Sequence, residues 1–265
     1  MSRLDVYLTE NCLAKSRERA KALIKGGKVT VNGKTCTKPA QEIGENDIVE
    51  SQPDDLAFVG RGGLKLEKAF DTFEINVNGL VCADIGASTG GFTQCLLEHG
   101  AKLVYAIDVG HGQLDESLVS DNRVVNCEGV NARELTPDSF EHIPEFISVD
   151  VSFISLGLII QPLSSVLASG GEMVTLIKPQ FEAGKKALNK KGIVKDQKDH
   201  VRVLDSVMSA FNSAGLSVKG LTVSSITGGD GNIEYLAHLC KDANGVQNSQ
   251  TDFDKLVKSA FVQFK

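Results

Sequence analysis

The chain has 265 residues, 42% of them hydrophobic and 23% charged, the make-up of an ordinary soluble globular protein long enough for one large domain plus a small one. No apolar run reaches the roughly 18–20 residues of a membrane span, and the Met-Ser-Arg-Leu-Asp start has no signal-peptide apolar stretch, so a cytoplasmic protein without a membrane partner is expected. The net charge of −6 is unevenly spread: residues 1–38 carry nine Lys/Arg against three Asp/Glu, while residues 39–265 carry nineteen against thirty-one. A basic head on an acidic body is an asymmetry that bears on partners. The six cysteines make no Cys-x-x-Cys pair and the five histidines are scattered. Reduced thiols and no metal are therefore expected.

Residues 1–50 are expected to form a compact module. Arg3 to Leu8 starts a short helix. A second helix runs over 16–25, with Ser16 as N-cap, Ala20, Leu23 and Ile24 as its apolar face, and Arg17, Lys21, Lys25 and Lys28 in water. Gly26-Gly27 ends it. Val29-Thr-Val-Asn-Gly33 predicts a strand and a tight Asn-Gly turn into a second strand, and 47–50 a further one. Residues 51–60, with Pro53 and the Asp54-Asp55 pair, are expected to be a linker.

The second domain is expected over 61–265. It opens on a helix with the stripe Leu66, Ala69, Phe70 and Phe73, which puts Lys65 near the helix start. Strands are expected at 80–85, 103–108, 123–127, 146–150 and 172–178, and helices at 90–99, 154–168 and 197–214. A basic loop covers 179–196. The chain then turns β-rich, with strands at 216–226 and 233–239 around a glycine turn at 228–231, and a last amphipathic segment lies at 253–263. Repeated strand-helix units predict an α/β, doubly wound sheet with ligand sites at the carboxyl ends of its strands. The final strand pair predicts an antiparallel edge, which a Rossmann-like methyltransferase has and a dehydrogenase usually lacks.

The stretch 80–93 reads as a buried strand, a glycine turn and a helix start. Glycines let a ligand approach the backbone closely, and the helix start offers free N–H groups. The spacing Gly86-x-x-x-Gly90-Gly91 is not the Gly-x-Gly-x-x-Gly of dinucleotide sites and fits S-adenosylmethionine better than a pyrophosphate. Asp108, closing the next strand, can take both hydroxyls of a ribose. Asp84 has two readings, a residue tying the backbone under the turn, which is favoured, or a direct cofactor contact. Four further charged residues fall where this topology puts a site: Lys65, Asp150, Lys178 and Glu234. A charge closing a buried strand must be solvated, paired or used.

The head resembles the RNA-binding module first described in ribosomal protein S-four, through Arg3-Leu-Asp5 with Leu8, Ser16-Arg17 with Ala20, Ile24, Gly27 and Val29-x-Val-Asn-Gly33. The resemblance implies that Arg3, Arg17, Lys21, Lys25 and Lys28 meet folded RNA, mainly through phosphates and shape. The second domain resembles the FtsJ-type ribose methyltransferases, whose tetrad Lys-Asp-Lys-Glu is filled in order by Lys65, Asp150, Lys178 and Glu234. With the head, the strings Arg61-Gly-Gly-Leu-Lys65, Gly86-Ala-Ser-Thr-Gly-Gly-Phe92, Lys178-Pro-Gln-Phe-Glu182 and Gly192-Ile-Val194 make the whole chain similar to the hemolysin A (TlyA) family.

That resemblance implies a Rossmann-like S-adenosylmethionine-dependent sheet behind a small α+β RNA-binding domain. It implies methylation of ribose 2′-hydroxyls in ribosomal RNA, with the RNA or a ribosomal subunit as partner, in a protein expected to be a monomer. Gly86, Ser88, Gly90, Gly91 and Phe92 would line the methionine part of the cofactor and Asp108 would take its ribose. Asn131 would face the adenine, although the family commonly has an acidic residue there. The chemistry needs positioning and deprotonation of a poor nucleophile. A lysine, with a free pKa of about 10.4, becomes a base when crowded by a second cation or desolvated. Lys178 is the expected base, Lys65 the crowding cation and oxyanion partner, and Asp150 and Glu234 orient the two. The lysines of 179–196 could close over the RNA strand, the alternative being a mobile solvated loop. Three rivals are a pore-forming cytolysin, a pseudouridine synthase and a non-catalytic ribosome-binding factor. The absent membrane-spanning run argues against the first, the glycine stretch against the second and the intact tetrad against the third.

Overall fold

The computed structural model describes residues 2–11, 13–14, 17–44, 46–51, 58–242, 246, 248–249 and 251–265, without the side chains of 18, 19 and 22. The N-cap expected at Ser16 and most of the expected linker lie outside the described residues. The chain divides into two compact units, Met1–Gly60 and Arg61–Lys265.

In the first unit, helices α1 (Leu4–Glu10) and α2 (Arg17–Lys25) pack beside short strands β1 (Ser2–Arg3), β2 (Val29–Val31), β3 (Lys34–Thr35), β4 (Glu42–Ile43) and β5 (Val49–Ser51). Leu4, Leu8, Ala20, Leu23, Ile24, Val29 and Ile43 form its core. Asn32 and Gly33 both have positive φ, 51° and 73°, the mirror-image turn that matches the twist of a hairpin. The β1–β4 pair is two residues long on each side and too short to leave a periodic signal.

The second unit is built on a seven-stranded sheet. Its elements are α3 (Gly63–Phe73), β6 (Val81–Ile85), α4 (Gly91–Glu98), β7 (Leu103–Asp108), α5 (Glu116–Val119), β8 (Val124–Glu128), β9 (Phe146–Val149), α6 (Ile160–Val166), β10 (Glu172–Ile177), α7 (Pro179–Glu182), α8 (Gln197–Ser213), β11 (Ser217–Val223), β12 (Tyr235–Cys240) and α9 (Phe253–Gln263). The strand order is β11-β12-β10-β9-β6-β7-β8. Strands β10 to β8 are mutually parallel, and β12 runs antiparallel between β10 and β11. The antiparallel member is thus one strand in from the edge. Helices α3 and α4 pack together, as do α8 and α9. No helix among the described residues is long and apolar enough to cross a membrane.

Two segments differ from expectation. The helix expected over 154–168 is a 3-10 turn at Leu156–Leu158 followed by the shorter α6. The Ser155 hydroxyl accepts from the Gly157 N–H and caps the turn, and Pro162 is tolerated because it falls in the first turn of α6. The expected loop 179–196 is largely folded, with α7, a 3-10 turn at Lys185–Ala187 and an antiparallel bridge between Leu188 and Val194. The short α5, capped by the Asp115 side chain on the Ser117 N–H, has only one turn and no apolar periodicity to announce it.

Asp84 is fully buried in β6. It accepts from the Thr93 hydroxyl of α4 at 2.7 Å and the Ser148 hydroxyl of β9 at 3.0 Å, so it ties the strand to the helix and to the next strand. Burial pushes its carboxyl up to about 7, against the two hydroxyls that lower it. An acid raised above its unfolded value of about 4 takes up a proton on folding between those two values. Its contribution to stability is therefore full below about pH 4 and is lost as pH rises through about 7. Asp84→Asn should remove this slope, which can reach about 1.4 kcal/mol per pH unit. Urea unfolding of both proteins from pH 4 to 8 measures it, and a wild-type–variant difference independent of pH would show the group ionised throughout.

Candidate active site

The site is built at the carboxyl ends of β6, β7, β9 and β10. After β6 the chain turns sharply into α4 through positive φ at Gly86 (83°), Ser88 (49°) and Gly90 (95°). A Cβ on Gly86 would lie 2.5 Å from the Asp150 carbonyl oxygen, and one on Gly90 would run into Leu114 and Leu118. Both glycines are therefore fixed by close approach as well as by backbone conformation.

Beside this turn is a cavity of about 450 Å³. Its apolar wall includes Ile85, Ile107, Val130, Ile154 and Ile159. Its polar wall includes Ser88, Asp108, Gln113 and Asn131, and Asp150, Ser152 and Phe153 close one side. Asp108 accepts from the Ser88 N–H at 2.9 Å and the Gly110 N–H at 2.7 Å. Asn131 accepts from the Arg133 N–H and donates to Glu134. Glu128, which the sequence reading passed over, accepts the N–H groups of Gly112, Gln113 and Leu114 and shapes the neighbouring loop. These hydrogen bonds, that of Gln113 foremost, pull its carboxyl down to about 2.

Of the residues expected to hold a cofactor, Gly86, Ser88, Asp108 and Asn131 line the cavity, whereas Gly90, Gly91 and Phe92 do not. Gly90 faces Leu114 and Leu118, and Phe92 is buried with its ring against Gly62. These three shape the entry to α4 from behind. Asp84 also lies in the interior beneath the turn.

The four charged residues converge. Lys65 donates to Glu234 Oε2 at 2.7 Å and lies 3.8 Å from Asp150 Oδ2. Lys178 lies 2.5 Å from Asp150 Oδ1 and donates to the Ser152 hydroxyl at 3.0 Å. Lys65, Lys178 and Glu234 are buried, and Asp150 is partly exposed toward the cavity. Burial pushes the Asp150 carboxyl up, but the charges of both lysines and the Lys178 hydrogen bond outweigh it and hold the group below the usual carboxylate range. Two ammonium groups against two carboxylates make a neutral set, which is how four charges can share a mostly buried space.

A surrounding set was missed in the sequence. The Gln180 amide donates to Glu234 Oε1 at 3.3 Å. Glu182 accepts from the Ser155 hydroxyl at 2.6 Å and the Leu156 N–H at 2.7 Å. Phe153 has φ of 63° and is 92% exposed, with its ring 5.1 Å from that of Phe181. The loop after β9 and the turn after β10 are thus stapled together at three points. The signal was present, since Gln180, Phe181 and Glu182 follow Lys178-Pro179, but nothing local tells which of them reaches back across the sheet.

In the first unit, Arg3 and Arg17 converge on Asp5. Arg3 pairs with both carboxylate oxygens at 2.9 and 3.1 Å, and Arg17 donates through Nε at 3.1 Å. Asp5 is buried, and these partners, Arg3 foremost, pull its carboxyl down to about 2. Both guanidinium side chains remain about half exposed. Lys25 is exposed, and Lys21 and Lys28 are half-buried.

Comparison with known proteins agrees with this layout. Residues 58–241 match the FtsJ-like methyltransferase family and residues 2–49 match the S4 domain. The chain is 45% identical to Hemolysin A of Brachyspira hyodysenteriae, covering 89% of this chain and 99% of that protein. It is 39% identical to the 16S/23S rRNA (cytidine-2′-O)-methyltransferase TlyA of Mycobacterium tuberculosis, covering 90% and 89%. A solved structure of a Streptococcus thermophilus protein that carries a hemolysin name superposes with a TM-score of 0.82 at 44% identity, over 99% of this chain and 96% of that one. With an S4 domain ahead of a methyltransferase unit that spans most of its length, the chain belongs to the hemolysin A/TlyA group of the FtsJ-like methyltransferase family.

Proposed function

We propose that this protein transfers a methyl group from S-adenosylmethionine to a ribose 2′-hydroxyl of ribosomal RNA, with Lys178 as the base. The observation that carries the reading is Asp150, whose carboxylate both lines the cavity and holds the two buried lysines. A pocket for a methyl donor and a device for handling a hydroxyl proton therefore share a wall. The S4 domain and the name of the M. tuberculosis relative supply the substrate class.

The cavity chemistry suits S-adenosylmethionine. Its apolar wall offers a face for an adenine, the Asp108 carboxylate retains lone pairs for ribose hydroxyls, and Ser88, Asn131 and Gln113 add polar contacts. When bound, this cofactor would supply an electrophilic sulfonium methyl. The chain's own task is then to hold the hydroxyl in line, take its proton and stabilise the oxyanion.

The two lysines divide that task. Lys65 has Glu234 as its own partner at 2.7 Å and acts as the fixed cation that stabilises developing negative charge. Lys178 has no carboxylate to itself, because Asp150 also answers to Lys65. It is the amine placed beside the cavity wall to accept the hydroxyl proton. Ser152 and Asp150 aim it. Phe153, exposed at the cavity mouth, offers a flat face on which an unpaired base can stack, an interaction that tolerates any base identity.

Two measurements test this. Lys178→Ala should reduce methyl transfer from labelled S-adenosylmethionine to ribosomal RNA or subunits by about 10²–10⁴-fold, with cofactor affinity by calorimetry little changed. Transfer at the wild-type rate would remove Lys178 from the role of base. Glu182→Ala should lower kcat by roughly tenfold, one misplaced hydrogen bond's worth, through release of the 150–156 loop, and Glu182→Gln should recover part of it. Equal kcat in all three proteins would show that the staple does not position the site.

A further inference from the structure

The folded segment that follows Lys178 carries a concentration of positive charge that the proposed chemistry does not use. Residues 183–195 contain Lys185, Lys186, Lys190, Lys191 and Lys195 and no acidic residue, although the unit they belong to, residues 61–265, has nineteen Lys/Arg against twenty-five Asp/Glu. All five side chains are exposed. Among the described residues none of the five has a carboxylate partner, in contrast to Lys65, Lys178 and Lys219.

The backbone beneath these lysines is held at many points. Leu188 and Val194 form an antiparallel bridge. The Asn189 side chain accepts from the Lys191 and Ile193 N–H groups at 2.8 and 3.1 Å. Asn232, only 2% exposed, donates to the Gly192 carbonyl at 3.1 Å and accepts from the Val194 N–H at 3.2 Å. A ring nitrogen of His200 lies 3.1 Å from the Val194 carbonyl oxygen, and Arg202 donates to the Ala183 carbonyl oxygen. Asn232 stands two residues before Glu234, and the segment begins beyond α7, the helix that follows Lys178. One end of the hairpin is thus held by a sequence neighbour of Glu234, and the other follows the helix that starts after Lys178.

Like charges packed into a short turn repel, and a loose loop would let them separate. Here buried side chains fix the backbone instead, so the repulsion is retained. A polyanion with evenly spaced charges is the ligand that relieves it, and a preorganised array loses less entropy on binding than a flexible one.

We infer that residues 183–195 are a fixed phosphate-binding hairpin that grips the RNA strand next to the ribose presented to Lys178. The inference rests on the reading of the protein as an RNA methyltransferase. It differs from a lid closing over the strand, because the hairpin's backbone is held in place by Asn189, Asn232 and His200. Its contacts are to phosphates, so it adds affinity and register without sequence information.

The test uses the full-length protein and unmethylated ribosomal RNA, with Lys190→Gln/Lys191→Gln and Lys185→Gln/Lys186→Gln compared with Lys255→Gln/Lys258→Gln, an equal charge change on the exposed side of α9. Binding is measured across a salt series and methyl transfer under steady state. Each hairpin variant should lower the slope of log affinity against log salt by about 1–2 and raise KM for RNA roughly tenfold at low salt, with kcat changed much less. The α9 pair should match wild type. Wild-type slope and KM in both hairpin variants, with methyl transfer intact, would overturn the hairpin's role and leave the methyltransferase reading standing. An equal loss in the α9 pair would also overturn it, by showing a general effect of net charge. No methyl transfer to RNA by the wild type would remove the parent reading and this inference together.

Discussion

Two lysines share one carboxylate at the end of β9, and the rest of the second unit can be understood as the means of bringing that about. Asp150 leaves the sheet after Val149, Lys178 leaves it after Ile177, Lys65 arrives in the first turn of α3, and Glu234 immediately precedes β12. The antiparallel course of β12 is what puts Glu234 there. Its first residue, Tyr235, pairs with Ile177, the last residue of β10, so the residue before β12 and the residue after β10 are neighbours at one end of the sheet. A parallel strand in that position would carry its first residue to the opposite end. The strand that distinguishes this sheet from a wholly parallel one is therefore the strand that completes the charged set.

The neutrality of the set makes the burial tolerable, and its asymmetry makes it useful. Removing one member of a buried pair is costlier than the pair is beneficial, because it strands a desolvated charge. A substitution at Lys65 thus releases Glu234 as well as removing a cation, and its effect on activity alone would say little about which group acts. Lys178 is the more interpretable position. Its partner Asp150 keeps Lys65 and faces the cavity, so the loss leaves a carboxylate that is still paired and partly solvated.

Much of this was legible in the sequence, because it rests on local patterns. Buried strands ending in a charge pointed to Asp150 and Lys178, and the glycine spacing pointed to the turn at 86–91. The division of that stretch between cavity wall and interior was not legible. Gly90, Gly91 and Phe92 sit within six residues of Gly86, yet Leu114 and Leu118 face Gly90 and the cavity does not reach these three. Contacts from residues more than twenty positions away decide which side of a turn meets a ligand. The same holds for Glu182 and Asn232, whose partners lie across the fold. The hairpin at 183–195 reads as an open basic loop because its fixing groups, Asn232 and His200, follow it in sequence without a periodic mark.

The first unit poses the remaining question of charge. Arg3 and Arg17 carry the resemblance to an RNA-binding head, and both are turned toward a buried aspartate. A pairing of that kind can look like neutralisation. Among the described residues, however, Arg17 donates only through Nε, and a guanidinium held by Nε has its direction fixed. A side chain that would otherwise lose rotamer entropy on meeting a phosphate is already oriented. Arg3 uses Nε and one terminal nitrogen and retains less capacity. Under the proposed function Asp5 therefore serves as a buttress that aims Arg17, while Arg3 mainly keeps the buttress ionised. The hairpin of the second unit reaches the same end by a different route: its lysines lack the planar fork, so the backbone beneath them is fixed instead of the side chains.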